Sequence, residues 1–504
     1  MKTILNLSNT KDLCTSFFGL KSRSDIANLL EISEQTLIYY VYRLPKDIQY
    51  KNFAIHKRRN GDRIISAPIT PIKIIQRKLN SILQLIYEPR TSAYGFRKLK
   101  NIKMNAQQHI NSQLVLNIDL KDFFDQIHFG RIKGAFRSTP FNFNEEVSST
   151  LANICVLDGK LPQGAPTSPV ISNIVCWSLD KYLEKFTKKY RGCKYTRYAD
   201  DITISTKNSV FPPEIVKKVT DKVLLGDELL ETFTRCQFQL NTEKTRISRI
   251  DKRQLVTGLI VNQFVNVKRE YIRTIRKNLF IWEKFGINAL QNKLSYKIDL
   301  SPYKSITNPT WSLSGQINFL AQIRGIENEQ YKKVWRWFNY LKLRDDYYRL
   351  SKTTNYTERG LGLEDILNSL CKVNSIECRE PFVRSTDQID GAIFLKNQVI
   401  LVECKWTNDN DIINRQIDIF QNKVTQRSGQ DSYGIFISIA EWNQNAITNL
   451  KIARDKNIIL MSKEDLEIIL NNRSINLEKI LETKIRYLIT NADSYLAVRE
   501  IRKQ

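Results

Sequence analysis

Two stretches decide the fold of this chain: Gln113–Phe124 (QLVLNIDLKDFF) and Lys194–Thr206 (KYTRYADDITIST). In the first, an apolar, β-prone run ends at Asp119, where polar residues begin. In the second, two β-prone segments flank a pair of acids, Asp200 and Asp201. This alternation predicts a β-hairpin with adjacent carboxylates at its tip.

The acids at these strand ends predict a divalent metal site. If the two stretches are neighbours in one sheet, Asp119 and Asp200 converge, and their mutual repulsion favours a cation between them. Two Mg²⁺ ions roughly 3.5 to 4 Å apart would activate a 3′ hydroxyl and stabilise a departing pyrophosphate. The pattern therefore predicts nucleotidyl transfer, although an isolated Tyr-Ala-Asp-Asp string is equally typical of an ordinary Asp-rich turn.

The excess of positive over negative charge is confined to one part of the chain. There are 78 Lys and Arg against 52 Asp and Glu, a net charge of +26. Residues 351–504 carry 21 of each sign, so residues 1–350 hold the whole excess, 57 against 31. Interleaved with aromatic residues, as in Tyr50–Arg63 and Tyr331–Arg349, such an excess favours a phosphate-binding surface. Any single run is also typical of a solvated, lysine-rich face.

Composition excludes several classes of protein. With 504 residues, 42% of them hydrophobic, two to four domains with substantial cores are expected, and disorder is excluded. The longest apolar run, Leu37–Tyr42, is far short of the ~20 residues that span a bilayer. No signal peptide is visible, so a cytoplasmic protein without a membrane partner is expected. Three histidines and eight cysteines without a CxxC pair argue against zinc and favour reduced core cysteines.

Around the acids, six blocks follow the order found in reverse transcriptases, which the chain resembles over about residues 25–345. The blocks are Phe53–Pro68 (FAIHKRRNGDRIISAP), Tyr94–Lys98 (YGFRK), Asn117–Phe124 (NIDLKDFF), Leu161–Pro169 (LPQGAPTSP), Arg197–Asp201 (RYADD) and Leu240–Ser248 (LNTEKTRIS). The resemblance implies a right-hand fold of fingers, palm and thumb. It also implies catalytic Asp119, Asp200 and Asp201, with magnesium held by Asp119, Leu120 and Asp200.

The same resemblance assigns substrate contacts. The predicted substrate-binding residues are Lys57, Arg63, Phe124, Gln163, Gly164 and Lys244. Lys57 and Arg63 would lay cations on an incoming triphosphate, and Phe124 would exclude a ribose 2′-OH, so that dNTPs are the substrate. Gly164 would let the backbone approach a nucleotide. Plainer alternatives remain: a surface hairpin with basic ends, a loop before a helix, a core phenylalanine and a surface lysine.

Two further motifs resemble those of retron reverse transcriptases. Asn105–His109 (NAQQH) matches that family's NAxxH block, and Val256–Gly258 matches its VTG block. The predicted RNA-binding residues are Asn105, His109, Val256, Thr257 and Gly258. A buried histidine and a strand bend are the structural alternatives. Such enzymes use a structured noncoding RNA, start from the 2′-OH of a guanosine and make branched, RNA-linked single-stranded DNA.

The neutral C-terminal region has a second carboxylate pattern. A helix at Gly360–Val373 is followed by β-prone Ser385–Phe394 and Gln398–Trp406, which bring Asp390 near Glu403 and place Lys405 on the same strand face as Glu403. A carboxylate pair holding Mg²⁺ beside a lysine is a phosphodiesterase arrangement. The alternative is a salt-bridged sheet end without activity.

These residues, with Ile437–Ile447 and Ile458–Leu470, resemble the Mrr-type branch of the PD-(D/E)xK nucleases over about residues 359–472. The resemblance implies catalytic Asp390, Glu403 and Lys405, metal at Asp390 and Glu403, and an accessory Glu364. No proline precedes Asp390, which departs from the family pattern. DNA or RNA would be the nuclease substrate, and a homo-oligomer is left open.

The predicted fold is therefore multidomain α+β, a right-hand reverse transcriptase followed by an α/β restriction-endonuclease-like domain. The predicted domain limits are fingers and palm 1–267, helical thumb 268–345, linker 346–358, nuclease 359–473 and helical tail 474–504. The predicted function is a retron polymerase fused to a nuclease effector for antiphage defence. The alternatives are a reverse transcriptase without branched priming, and a C-terminal domain that senses nucleic acid without catalysis.

Overall fold

The structure is a computed structural model that describes residues 10–56, 62–219, 223–296, 308–384, 387–395, 398–406, 410–427, 432–440, 444–452 and 457–502. The chain forms two compact units. The first unit comprises Met1–Ile272 with Lys293–Thr307, and the second comprises Arg273–Asn292 with Asn308–Gln504. Each is described by itself.

The first unit begins with short helices and a hairpin. They are α1 (Thr10–Phe18), α2 (Arg23–Leu29), α3 (Glu34–Ile38), a π-helical turn (Tyr39–Arg43), α4 (Lys46–Gln49), β1 (Tyr50–His56), β2 (Asp62–Pro68), α5 (Thr70–Ile86) and α6 (Ile102–Gln107). β1 and β2 pair antiparallel, and residues 57–61 between them lie outside the described residues. The amphipathic α5 buries its apolar side in the core of this unit.

A four-stranded antiparallel sheet forms the centre of the first unit, in the order β4-β5-β3-β8. The remaining elements of the unit are β3 (Leu114–Asp119), α7 (Phe129–Arg137), α8 (Glu145–Cys155), α9 (Ser168–Val175), α10 (Trp177–Lys188), β4 (Cys193–Tyr198), β5 (Asp201–Thr206), β6 (Val216–Val219), β7 (Val223–Leu225), α11 (Asp227–Arg235), β8 (Arg246–Arg249), β9 (Leu255–Val256) and β10 (Leu259–Ile260). Apolar residues of the sheet and of α5, α8, α9 and α10 share one core. The predicted strand and hairpin are confirmed.

The second unit contains long helices and a sheet. The elements that follow β10 are α12 (Arg269–Tyr296), α13 (Pro309–Arg324), α14 (Glu329–Leu350), α15 (Tyr356–Val373), β11 (Glu377–Arg379), β12 (Phe382–Arg384), β13 (Asp387–Ile389), β14 (Gly391–Leu395), β15 (Gln398–Lys405), α16 (Asn410–Arg427), β16 (Ser432–Ser438), α17 (Gln444–Ile452), β17 (Ile458–Met461), α18 (Lys463–Asn471), α19 (Leu477–Asn491) and α20 (Val498–Ile501). Only Arg273–Asn292 of α12 belongs to this unit. Within α12, Gly286 has a non-helical φ of +81°.

The sheet of the second unit has the order β11-β14-β15-β16-β17. β14 pairs antiparallel with β15, whereas β15, β16 and β17 run parallel. One apolar core joins this sheet to α15, α18 and α19, and it includes Tyr340, Leu343, Tyr347 and Leu350 from α14. The last three turns of α14 and the C-terminal sheet are therefore parts of one folded body.

Several sequence expectations can be compared with these elements. Of the predicted linker 346–358, only residues 351–355 lie between helices, and the domain limits stay predictions. All eight cysteines are free and half of them are buried, as expected for core thiols. Within the described residues, no helix combines the length and apolar character that crossing a bilayer requires.

Candidate active sites

The three aspartates of the first unit meet at one end of its sheet. β3 and β5 are hydrogen-bonded neighbours, and Asp119 lies directly opposite Asp201. Asp200 lies with Ala199 in the tight turn between β4 and β5, where Ala199 has a φ of +57°. Cross-strand partners point to the same face, so the carboxylates of Asp119 and Asp201 share one side of the sheet.

Burial and neighbouring carboxylates raise the pKa of Asp200 and of Asp201. Loss of surrounding water and the nearby Asp119 carboxylate raise the pKa of Asp200. Partial loss of surrounding water, together with the Asp200 and Asp119 carboxylates, raises the pKa of Asp201 to about 6. The Asp201 side chain nevertheless remains accessible to solvent. Arg63 and Lys244 oppose the shift at Asp200. Two carboxylates that resist ionisation side by side have the chemistry of a cation site.

Lys244 forms an ion pair with one of these acids. Its Nζ lies 2.9 Å from Asp119 Oδ2. Across the described ranges, no three Asp, Glu, His or Cys side chains are arranged to hold one metal ion as they stand. The donor set still fits magnesium, because Asp119 and Asp200 supply carboxylate oxygens and Leu120 can offer its backbone carbonyl. Lys244 would have to release Asp119 when a metal enters.

A buried network beneath the turn was missed by the sequence reasoning. The guanidinium of Arg197 is fully buried and donates from Nε and Nη2 to both carboxylate oxygens of Asp180, at 2.7 Å each. Arg197 also donates to the carbonyl of Ala199 and to Asn173, and Tyr195 donates to Asp180 at 2.6 Å. The network ties the β4–β5 turn to α9 and α10. A charged residue on the apolar side of α10 was the signal that could have revealed it.

Gly95 shows how closely the chain packs against this turn. A Cβ atom at Gly95 would lie 2.5 Å from the backbone nitrogen of Ala199, a distance that side chains do not tolerate. The neighbouring Tyr94 donates its backbone N–H to the carbonyl of Arg197, and Asn173 donates to the carbonyl of Gly95. Gly95 therefore lets the Tyr94–Lys98 block support the turn directly.

We expect Asp180→Asn to destabilise the first unit by about 3–5 kcal/mol, because it leaves the buried charge of Arg197 without its counter-ion. Urea unfolding followed by tryptophan fluorescence measures the change. The matched control is Asp227→Asn, which breaks the exposed pair with Lys217 and should cost about 1 kcal/mol or less. Equal losses for the two variants would contradict a supporting role for the buried pair.

A cleft of about 770 Å³ lies in front of the acids. Arg63, Phe124, Gln163 and Lys244 all line it beside Asp119 and Asp200, so the structure brings together four of the six predicted substrate residues. Of the two adjacent aromatic residues, Phe123 is a core residue and Phe124 is only partly buried. Lys57 lies outside the described residues.

Close packing against β2 explains why residue 164 is a glycine. With a φ of +123°, it packs so closely on β2 that a Cβ would lie 2.8 Å from both Ile65 Cγ2 and the carbonyl of Ser66. The backbone carbonyl of Gln163 also accepts a hydrogen bond from the N–H of Ser66. The missing side chain is thus explained by packing against β2, and the predicted nucleotide contact is not needed to explain it.

The predicted RNA-binding residues fall into two groups. His109 is fully buried and its ring nitrogens bond to Ser205 (2.8 Å) and Thr196 (2.7 Å), while burial and the nearby Lys194 lower its pKa to about 3. This neutral histidine braces the outer part of the β4–β5 hairpin, as the structural alternative expected.

In the second group, one buried residue lacks hydrogen-bond partners and another has an unfavourable backbone conformation. Asn105 is 1% exposed, yet neither its amide nitrogen nor its oxygen has a hydrogen-bond partner in the described part of the chain. Thr257 and Gly258 form the tight turn between β9 and β10, with φ of +47° and +84°. A β-branched residue rarely adopts a left-handed conformation. The strain at Thr257 favours a functional reason for it, and RNA contact stays a prediction.

The acids of the second unit also converge. The register that pairs Gly391 with Val402 puts Asp390 opposite Glu403, and Asp390 accepts the backbone N–H of Cys404 at 2.9 Å. Lys405 Nζ lies 2.8 Å from Glu403 Oε1 and 3.8 Å from Asp390 Oδ2. Lys423 of α16, which the sequence reasoning missed, adds a cation 3.8 Å from Glu403.

Burial dominates the electrostatics of this cluster. Desolvation and Asp390 raise the pKa of Glu403, and they raise that of the accessory Glu364 to about 7. Glu403 Oε2 is buried and accepts no hydrogen bond from the described residues, although Lys423 Nζ lies 3.8 Å from it. A carboxylate oxygen without a hydrogen bond, beside two further acids, fits a divalent cation bound by Asp390 and Glu403.

Comparison with known proteins gives the wider context. Residues 55–275 match the family described as reverse transcriptase (RNA-dependent DNA polymerase). The chain is 34% identical to retron Ec86 reverse transcriptase of Escherichia coli, over 54% of this chain and 82% of that protein. It is 31% identical to retron Mx65 reverse transcriptase of Myxococcus xanthus (50% and 60%), and 30% identical to retron Mx162 reverse transcriptase of the same species (61% and 68%).

Proposed function

Because the chain belongs to the retron reverse transcriptases, we propose that it copies a structured noncoding RNA into branched, RNA-linked single-stranded DNA. It is an RNA-directed DNA polymerase, and its template is RNA. The observation that carries the proposal is the pairing of Asp119 with Asp201 at the end of the sheet, next to Asp200, where Asp119 and Asp200 line the cleft.

The proposed roles follow from the positions of the side chains. Magnesium bound by Asp119, Leu120 and Asp200 would supply the charge that activates a hydroxyl nucleophile and stabilises pyrophosphate. Arg63 and Lys244 line the same cleft and can bind the phosphates of a dNTP by charge-assisted hydrogen bonds. Phe124, which lines the same cleft, would contact the sugar and exclude a 2′-OH.

Branched priming has a direct test in the nucleic acid that copurifies with the full-length chain. After protease digestion, we expect a DNA whose 5′ end stays joined to RNA. Ribonuclease should shorten the species without releasing a free 5′ phosphate at the branch. A DNA with an unlinked 5′ end would favour the alternative of a reverse transcriptase that uses no branched primer.

We further propose that the second unit is a metal-dependent nuclease whose activity contributes to antiphage defence. The support is the convergence of Asp390, Glu403 and Lys405 at one end of the sheet, next to Glu364. Lys405 would hold the attacking water or the scissile phosphate, and Asp390 and Glu403 would hold magnesium. The defence role rests on analogy with retron systems, in which a branched product restrains an effector.

A second candidate function for this unit is nucleic-acid sensing without catalysis. The favouring observation is that Lys405 already forms ion pairs with both carboxylates, as in a salt-bridged sheet end. Cleavage of nucleic acid by the full-length chain separates the two functions.

A further inference from the structure

A second basic site lies within the second unit, away from the carboxylate cluster. α12, α14 and the turn after α18 enclose a pocket of about 480 Å³, a volume typical of small-ligand sites. Four cations line it: Arg276, Lys333, Arg336 and Arg473. No carboxylate is among the described residues that line it.

The cations of this pocket, hereafter the arginine pocket, are only partly neutralised. Arg473 pairs with Glu283 at 3.2 Å, and Arg276 donates to the neutral Gln330. Arg336 donates to Asn374 and to the carbonyl of Ile475, so it is held in place by neutral acceptors. The pocket therefore keeps a positive excess of about three charges, which calls for an anion.

The geometry of Trp337 indicates which kind of anion fits. The guanidinium of Arg473 lies 4.0 Å from the centre of the Trp337 ring and covers that face. A stacked guanidinium keeps its N–H edges free for oxygen acceptors. The Nε1–H of Trp337 and the Nε–H of Arg336 are buried and have no acceptor in the parts of the chain that the structure describes. An anion with several acceptor oxygens and a high negative charge therefore matches the cations that line this pocket.

We propose that the arginine pocket binds a phosphate group, carried by the backbone of a nucleic acid or by a free nucleotide. Phosphate is the anion that arginine clusters bind bidentately. Arg276, Lys333 and Arg336 come from α12 and α14, whereas Arg473 comes from the C-terminal segment after α18. A bound phosphate would thus be gripped from both parts of the second unit. The proposal does not rest on nuclease activity.

The test compares two double variants of the full-length chain that remove the same charge. Arg276→Gln with Lys333→Gln changes two exposed lining residues, and Lys277→Gln with Lys332→Gln changes their exposed neighbours, which do not line the pocket. The probes are a fluorescein-labelled single-stranded DNA oligonucleotide and inorganic tripolyphosphate, each titrated in EDTA. We expect the pocket variant to lose about tenfold or more in affinity, and the neighbour variant to stay within about twofold of the parent.

The pattern across the probes identifies the source of the phosphate. A weaker affinity for the oligonucleotide, with a salt slope that is smaller by about 0.7 for each phosphate that the variant no longer neutralises, indicates a nucleic-acid backbone. A weaker affinity for tripolyphosphate alone indicates a free nucleotide. Equal affinities for the parent and both variants, or equal reductions for both variants, would overturn the proposal. Because the altered side chains are exposed, thermal unfolding should be unchanged in both.

Discussion

Asp200→Asn should reduce DNA synthesis by about 10³-fold or more, because it removes a charged ligand from the proposed metal site while keeping the side-chain shape. Asp200 lies in the turn between two paired strands, and Asp119 is on the neighbouring strand. Among the described residues that line the cleft, Asp200 is the acid that lies in this turn, next to the paired Asp119 and Asp201. Primer extension on an RNA template with labelled dNTPs measures the loss.

The matched control is Asp125→Asn, which removes a carboxylate that lines the same cleft outside the turn. We expect it to keep activity within about tenfold of the parent, since only long-range charge changes. If Asp200→Asn still makes DNA at the parent rate, the polymerase assignment of these acids fails. If both variants lose activity equally, the loss reflects the charge of the cleft and not a metal ligand.

The free energy of unfolding provides an independent test of the acids at this site. The pKa of Asp201 is raised to about 6, so its ionised form destabilises the folded state. In EDTA, Asp201→Asn should therefore be more stable than the parent above about pH 6, and the gain should vanish as the pH falls towards 4. A variant that is inactive yet more stable has lost function at the site and not through unfolding.

The polymerase half could be predicted from the sequence to the level of strands and site because its signals are local. Alternation of apolar and polar residues around Asp119 and around Asp200 specifies strands and turn, and acids at strand ends then converge once the strands pair. The buried pair of Arg197 and Asp180 was missed because neither residue type is expected inside a core. Only the packing of α10 under β4 explains their burial.

The connection between the two halves was harder to predict from the sequence, because its signal lies on one face of a helix. The predicted linker 346–358 rested on a change of composition, which averages over all faces of a helix. Within charged α14, the residues Tyr340, Leu343, Tyr347 and Leu350 recur at helical spacing and enter the core of the C-terminal sheet. Tyr347 also stacks on Trp406, with ring centres 5.5 Å apart. A hydrophobic stripe inside a charged segment therefore matters more than the mean composition.

Lys405→Ala should abolish cleavage and antiphage protection while leaving DNA synthesis within about twofold of the parent, because the acids that Lys405 contacts, Glu403 and Asp390, belong to the cluster of the second unit. Lys405 contacts both Glu403 and Asp390, and its removal takes away the group that would position water or phosphate. Loss of such a group typically costs about 10²–10⁴-fold in rate. Nicking of supercoiled plasmid and cleavage of labelled RNA, each with Mg²⁺, measure the first effect, and phage plating efficiency measures the second.

The full-length chain is required for this test, because a fragment starting at residue 355 would lose the α14 side chains that complete its core. Lys372→Ala is the matched control, since it removes a lysine from the exposed pair with Glu380 and should leave cleavage and protection intact. Glu403→Gln should reproduce the loss of Lys405→Ala without removing a cation. If the parent chain cleaves neither DNA nor RNA and Lys405→Ala still protects, the carboxylates and lysine form a structural cluster, and nucleic-acid sensing becomes the better account of this unit.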